Sequence, residues 1–483
     1  MKRTLVLGAF LVALVALPAE AVEMKAGVAK GSISTTEPLV LTNGPNAKGI
    51  FKDIMARVLV LNDGNQRYVI ATYDLNCLDV ATAILRERVK GELDIPIENL
   101  VLLATHNHNA PIQIAPGNFE YGRGLADTIF GLIQTAIANE VGPVTVNFGT
   151  GDGKFIVSRG QIEPDYEIQA LKVMHGDQPL ALFFTHGTHP AQVTSDYIGT
   201  GHPGYAMDEI EAAMPGVQAM YADACGGDQF IKRPKKLNKK IVAAKKEDGK
   251  AAAQALREKF TRETGRKLAK ATLKIARGKM IDVTGSIRST HNRIALPLGD
   301  PISLEEARTL ASKEKETGFV PYPHDARGSN WVRMLLYWYE KDLPFPRTTA
   351  DLVCTDDTYF VDKNDTEMLE KWDYSLHDTQ PCEYEEVIVS RIGPLTFIAM
   401  QGEVCAGIGL RLKAALRADG PTFVTSYMGE HNLYIPTRKL VELNTYQAKV
   451  IQIQYASPVP WSLDVEDVMV DSVLQITRDF LKE

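Results

Sequence analysis

Five short polar clusters, each closing an apolar run, hold the side chains of this chain that can bind a metal or move a proton. ATHNHNAP places His106 and His108 two residues apart at the end of one such run, and THGTHP supplies His186 and His189 at the end of another. An extended backbone would direct His106 and His108 to the same face. ACGGDQ finishes in Gly226-Gly227-Asp228, QGE delivers Glu403 to a strand end and helix start, and GEHNLYIPT brings His431 and Tyr434 just after a further strand. The whole chain has only 10 histidines, so four of them in two clusters is a concentration that calls for chemistry. Two histidines and a carboxylate form a common ligand set for a catalytic zinc, which keeps one position open for water. Taken singly the clusters say less: a His-x-His pair is often a polar turn, and a Glu before a helix often answers the helix dipole. Spacing alone does not choose between His186 and His189. Asp228, after two glycines, is either a turn former or a carboxylate that orients a ligating imidazole or holds a water.

The elements that must bring these clusters together alternate. Ala56 to Leu61, Arg67 to Asp74, Leu100 to Thr105, Val144 to Gly149, Gln169 to His175, Pro179 to Thr185 and Val217 to Ala222 read as strands. Val80 to Val89 and Leu125 to Ala138 repeat apolar residues at helical spacing. The pattern returns with strands Glu386 to Ile392, Leu395 to Met400 and Phe423 to Tyr427 and a helix Ala406 to Ala418. This predicts an α/β fold: a mixed sheet with flanking helices, in one large domain spanning residues 22–483. Two insertions interrupt it, a polar helical one at about 232–278 and an aromatic, loop-rich one at about 319–383. Ser303 and Glu306 form a capping box ahead of a helix running to about Thr317. In such sheets ligands sit beyond strand ends, so the five clusters are expected in one crevice.

Lys2 and Arg3, the apolar run Leu5 to Leu17 and the small-x-small triplet Ala19-Glu20-Ala21 read as a cleaved signal peptide over residues 1–21. A secreted or periplasmic protein beginning near Val22 is therefore expected, with no transmembrane span in the mature chain. A formal net charge of −7 argues against a nucleic-acid partner. The basic stretch Lys232 to Arg277 is interleaved with acidic residues and alanines and reads as a solvated helix face. Five cysteines are too few for a disulfide scaffold. Cys77, Cys225 and Cys405 follow apolar runs and should be buried thiols, while Cys354 and Cys382 lie in the loop-rich stretch and could pair.

ATHNHNAP, the THP at Thr188 to Pro190, Gly226-Gly227-Asp228, QGE at Gln401 to Glu403 and LYIPT at Leu433 to Thr437 fall in the order of the motifs of the neutral ceramidases. The chain resembles their N-terminal catalytic domain as far as about Tyr446. That resemblance implies zinc (Zn2+) held by His106, His189, Glu403 and Tyr434, with His108 beside the reacting centre for proton transfer or oxyanion stabilisation. It implies substrate contact for Arg159, in the pair Ser158-Arg159.

Two departures qualify the resemblance. The family carries a catalytic serine shortly after the Gly-Asp pair, where this chain reads Gly227-Asp228-Gln229-Phe230-Ile231, and the family's C-terminal immunoglobulin-like domain has no counterpart in this sequence. The expectation is an exported zinc-dependent hydrolase that cleaves an N-acyl amide in a small-molecule or lipid substrate through a metal-activated water. The competing readings are a zinc-dependent esterase or other hydrolase with an unrelated small substrate, and a metal-containing binding protein without turnover.

Overall fold

The structure is a computed structural model. It describes residues 23–113, 117–160, 163–190, 196–247, 249–313, 330–354, 385–429, 433–453 and 457–482. The first sheet draws on β1 (Lys25–Ser32), β2 (Met55–Asn62), β3 (Arg67–Tyr73), β4 (Leu100–Ala104), β12 (Ile287–Ile294), β13 (Glu385–Ile392), β14 (Leu395–Gln401) and β16 (Thr422–Met428). The second contains β5 (Val144–Asp152), β7 (Glu167–His175), β8 (Gln178–His186), β9 (Gln218–Ala222) and β11 (Ile281–Asp282). Two short ladders join β6 (Ile156–Ser158) to β10 (Gln229–Ile231) and β15 (Glu403–Val404) to β17 (Tyr434–Ile435).

The first sheet runs β1-β2-β3-β4-β16-β14-β13-β12 and the second β11-β5-β7-β8-β9. Both are mixed: β3 with β4, β14 with β16, and β8 with β9 are parallel, and the remaining neighbours antiparallel. Their inner faces share a core that includes Leu59, Ile70, Leu103, Phe183, Met220, Phe397 and Phe423. Phe183, Phe397 and Phe423 stack there at centroid distances of 4.9–6.3 Å, and burying each ring contributes about 2–3 kcal/mol. Helices cover both outer faces. On the first sheet these are α1 (Val80–Leu93), α2 (Phe119–Ala138), Ala406–Leu416 and Val465–Lys482; on the second, α3 (His202–Ala213) and α5 (Lys250–Ala276). The result is a helix, sheet, sheet, helix stack, the α/β class expected from the alternation.

The polar stretch at 232–278 is a pair of helices, α4 (Lys235–Glu247) and α5, and Ser303 Oγ accepts from Glu306 N at 3.2 Å as the capping box requires. Within 319–383, helices Asn330–Glu340 and Thr349–Cys354 are described, and Trp338 is fully buried. The Cys354–Cys382 pairing and the signal segment lie outside the described residues. Cys77, Cys225 and Cys405 are buried free thiols. Among the described residues no helix is long and apolar enough to cross a membrane.

What positions the site is the seam in the first sheet. β4 and β16 meet through one pair, Leu103 opposite Met428, at the C-terminal ends of both strands. Neighbouring strands that diverge from a single contact leave a crevice beyond their ends, the place where α/β sheets bind ligands.

Candidate metal centre

Five strand-end segments converge on that crevice. After β4 the backbone turns at His106, whose φ of 55° lies in the left-handed region that a non-glycine residue adopts at a cost of about 1 kcal/mol or more. The backbone here is not the extended one that the spacing of His106 and His108 predicts. The turn brings them together instead, with Nε2 atoms 3.1 Å apart. His189 follows β8 and puts its Nε2 3.2 Å from that of His106. Glu403 Oε2 lies 3.1 Å from His106 Nε2 and 2.9 Å from His189 Nε2. Tyr434 pairs with Glu403 across the short β15–β17 ladder, and its hydroxyl is 2.8 Å from His189 Nε2. His106, His108 and His189 form a group able to hold a metal ion, their ligand atoms all within 4.8 Å of one another. His106, His189 and Glu403 are buried; His108 is partly open.

Two glycines allow the loops to close this tightly. A Cβ on Gly227 would stand 2.3 Å from the Glu403 carbonyl oxygen, and one on Gly226 2.7 Å from Thr188 N. Gly227 N donates to Val404 O at 3.1 Å, and the Gly226 carbonyl lies 3.1 Å from His189 Nδ1.

The protonation pattern fits a cation. With Gly226 O taking the Nδ1 proton, His189 Nε2 carries a lone pair. That lone pair faces Glu403 Oε2, a buried oxygen without a hydrogen-bond donor among the described residues. His106 Nδ1 lies between the Asn76 carbonyl oxygen at 3.3 Å and the Asn76 side-chain amide nitrogen at 3.2 Å. Burial would raise the Glu403 carboxyl, but positive charge on and hydrogen bonds from the adjoining imidazoles outweigh it and hold it down at about 2, so the carboxylate stays ionised wherever a proton or cation sits among these groups. Burial likewise lowers His106 and His108 and raises the Tyr434 phenol. A buried carboxylate packed against an imidazole lone pair calls for a positive charge between them. Ligands about 2.0–2.1 Å from a tetrahedral zinc lie about 3.3 Å from each other, close to the separations found here.

The other expected residues fall farther out. The Asp228 carboxylate accepts from Ala406 N at 2.8 Å, at the start of helix Ala406–Leu416, and from the Ser158 hydroxyl. The group that faces the His189 imidazole is thus the Gly226 carbonyl, and Asp228 braces the helix that follows Glu403. Arg159 is exposed; its guanidinium lies 4.1 Å over the Phe230 ring, which stacks on His189 at 5.1 Å. Gln229 is buried and structural: its side chain accepts from Asp165 N and donates to Gly187 O, both at 2.6 Å. His431 lies outside the described residues.

His186 resolves the choice that spacing left open, since its Nε2 faces the Gly153 carbonyl at 3.1 Å, away from the crevice. Burial lowers it to about 4, and lowers His202, whose ring nitrogens lack hydrogen-bond partners among the described residues, to about 3. Unfolded histidines titrate near 6.5, so below that pH the unfolded chain takes up protons that the folded chain refuses. Stability is then full above about pH 6.5 and falls as the pH drops toward 4. The urea midpoint should decline over that window, and His202→Leu should flatten the decline; an unchanged slope in the variant would refute this assignment.

Sequence reasoning passed over Asn76, Asp223 and Tyr427. Asp223 follows β9, is fully buried, and accepts from Thr188 N at 2.8 Å, fixing the residue before His189. Tyr427, with φ 59°, lays its ring 4.5 Å from that of His106. Asp223 directly follows β9 and Tyr427 is the next-to-last residue of β16, the same signal that exposed the five clusters.

No family model and no curated protein sequence matches the chain. Solved structures do. The crystal structure of the neutral ceramidase from Pseudomonas aeruginosa superposes with a TM-score of 0.66 at 16% identity, over 94% of this chain and 74% of that one. A ceramidase complexed with C2 gives 0.62 at 15% identity, over 93% and 74%. The fold is therefore the α/β fold of ceramidases, shared at low sequence identity.

Proposed function

We propose that this chain is an exported zinc-dependent hydrolase that cleaves the N-acyl amide of a ceramide-like lipid, with water as the nucleophile. The observation that carries the reading is the buried knot of His106, His189 and Glu403, whose ligating atoms converge to within 3.2 Å of one another. The fold shared with neutral ceramidases supports it. In this reading His106, His189, Glu403 and Tyr434 hold the zinc, and residues 1–21 are removed on export. Zinc held there would supply a water of lowered pKa, near 7, and would polarise the scissile carbonyl, so a serine is not required.

The chain's own groups do the rest. His108, the imidazole of the three that is not fully buried, moves the proton between water and the leaving nitrogen. Asp223 and the Gly226 carbonyl hold the His189 segment in place, and Asp228 anchors the helix behind Glu403. The exposed Arg159, braced on Phe230, meets the polar part of the substrate. The test combines elemental analysis of the purified chain with turnover on matched N-acyl amides and esters. One zinc per chain and amide cleavage are expected. A chain purified without metal, or a zinc-loaded chain that cleaves only esters or nothing, would sink the proposal.

A further inference from the structure

The helices α4 and α5 form a surface of a different kind from the rest of the molecule. Residues 232–277 carry 17 Lys and Arg against 4 Asp and Glu, a net +13, while the whole chain is at −7; everything else therefore carries −20. Several exposed or part-exposed cations elsewhere are neutralised locally, as in Lys30–Glu211 at 2.6 Å, Lys52–Asp208 at 2.7 Å and Arg88–Asp127 at 2.6 Å, and so is Arg266 of α5, paired with Glu209 at 2.9 Å. Lys245, Lys250 and Arg257 have no ion-pair partner among the described residues. α4 is anchored by one buried side chain, Ile241, and its six lysines and Val242 are exposed.

This charge is joined to the candidate site. Lys245, Lys250 and Arg257 line a cleft of about 360 Å³ together with Tyr197. Tyr197 and Gln254 also line a narrower cleft that reaches Phe51 and Asn109. Asn109 is the residue after His108. Phe51 and Tyr197, 58% and 46% exposed, stand between the unpaired cations and the crevice. Cations that hold a surface by charge, beside aromatic rings able to enter an interface, are the composition that binds the headgroup region of an anionic bilayer.

We propose that the α4–α5 face, with Phe51 and Tyr197, docks the protein onto membranes containing anionic lipid, and so presents the crevice beyond His108 to the bilayer. Charge complementarity selects this occupant: the anionic headgroups would face the exposed lysines of α4 with Lys250 and Arg257 of α5, on a protein whose remaining residues are net negative. The inference concerns binding and is read without turnover, so its failure and that of the hydrolase reading are distinguishable.

The test is flotation of the full chain with vesicles of phosphatidylcholine, alone or with about one third phosphatidylglycerol. Binding should require phosphatidylglycerol and weaken steeply with salt. Each near-surface cation is worth about fivefold in partitioning, so Lys245→Glu with Lys250→Glu should lower binding at least about 25-fold. Phe51→Ser should lower it several-fold at unchanged charge. All three positions are exposed, and unchanged thermal melting will show that the variants fold. Equal binding to both vesicles, or a double variant that binds as well as its parent, would overturn the proposal. So would loss of vesicle binding to millimolar inorganic phosphate at constant ionic strength, which would mark a small-anion site.

Discussion

His189→Ala is expected to purify without stoichiometric zinc and to lose at least about a thousandfold in kcat/KM, an effect of the size that loss of a metal-activated water produces. The geometry makes this the most consequential position, because His189 Nε2 is within 3.2 Å of His106, Glu403 and Tyr434 alike. Glu403→Gln should behave similarly, since it removes the negative charge that offsets the cation. His108→Ala should differ in kind: zinc retained, kcat lowered, and the pH profile of kcat losing its basic group. Retention of a full zinc complement by His189→Ala would refute the ligand assignment, whatever happens to activity.

Chelation of the metal should abolish turnover, and restoring zinc should recover it. Serine-directed phosphonylating reagents and thiol alkylation should leave turnover intact. Two side chains near the site make this a real test. Cys225 precedes the Gly-Gly pair, but it is buried and burial pushes its thiol up to about 12, so thiolate is scarce at neutral pH. Ser158 is the more serious competitor, because its hydroxyl is bonded to the Asp228 carboxylate and β6 places it opposite Gln229. Ser158→Ala should nevertheless keep most of the activity. An acyl-enzyme trapped on Ser158 or Cys225, or full activity in the metal-free chain, would exclude water as the nucleophile.

Much of the fold was legible because its signals are local. The apolar runs that became β2, β3, β4, β8 and β14 are period-two or fully buried stretches bounded by turns, and α2 and Ala406–Leu416 have clear helical spacing. The short ladders β6–β10 and β15–β17 were not legible, since segments of two or three residues have no period to detect. The same limit applied to the site. Strand-end clustering nominated His106, His108, His189 and Glu403; spacing left His186 and His189 even, the family resemblance favoured His189, and the packed structure turns His189 to the crevice and His186 to Gly153. The His106–His108 alignment was anticipated for a reason that does not hold, because φ at His106 is a tertiary outcome. Asp228 read equally as a turn former or as a partner of the metal ligands, and its contact with the first amide of a helix 178 residues away could not be foreseen from spacing.

The single contact between β4 and β16 has a thermodynamic corollary. Residues 106 and 434 are 328 positions apart, and an ion gripped by both would act as a cross-link closing a loop of that length. Loop-closure entropy grows only with the logarithm of length, so one ion joins the two ends at little more cost than it would a short loop. Binding to the native chain alone then stabilises it by RT ln(1 + [L]/Kd), about 4 kcal/mol at a thousandfold excess over Kd. Metal supply would thereby set how much of the folded chain persists as well as how fast it works.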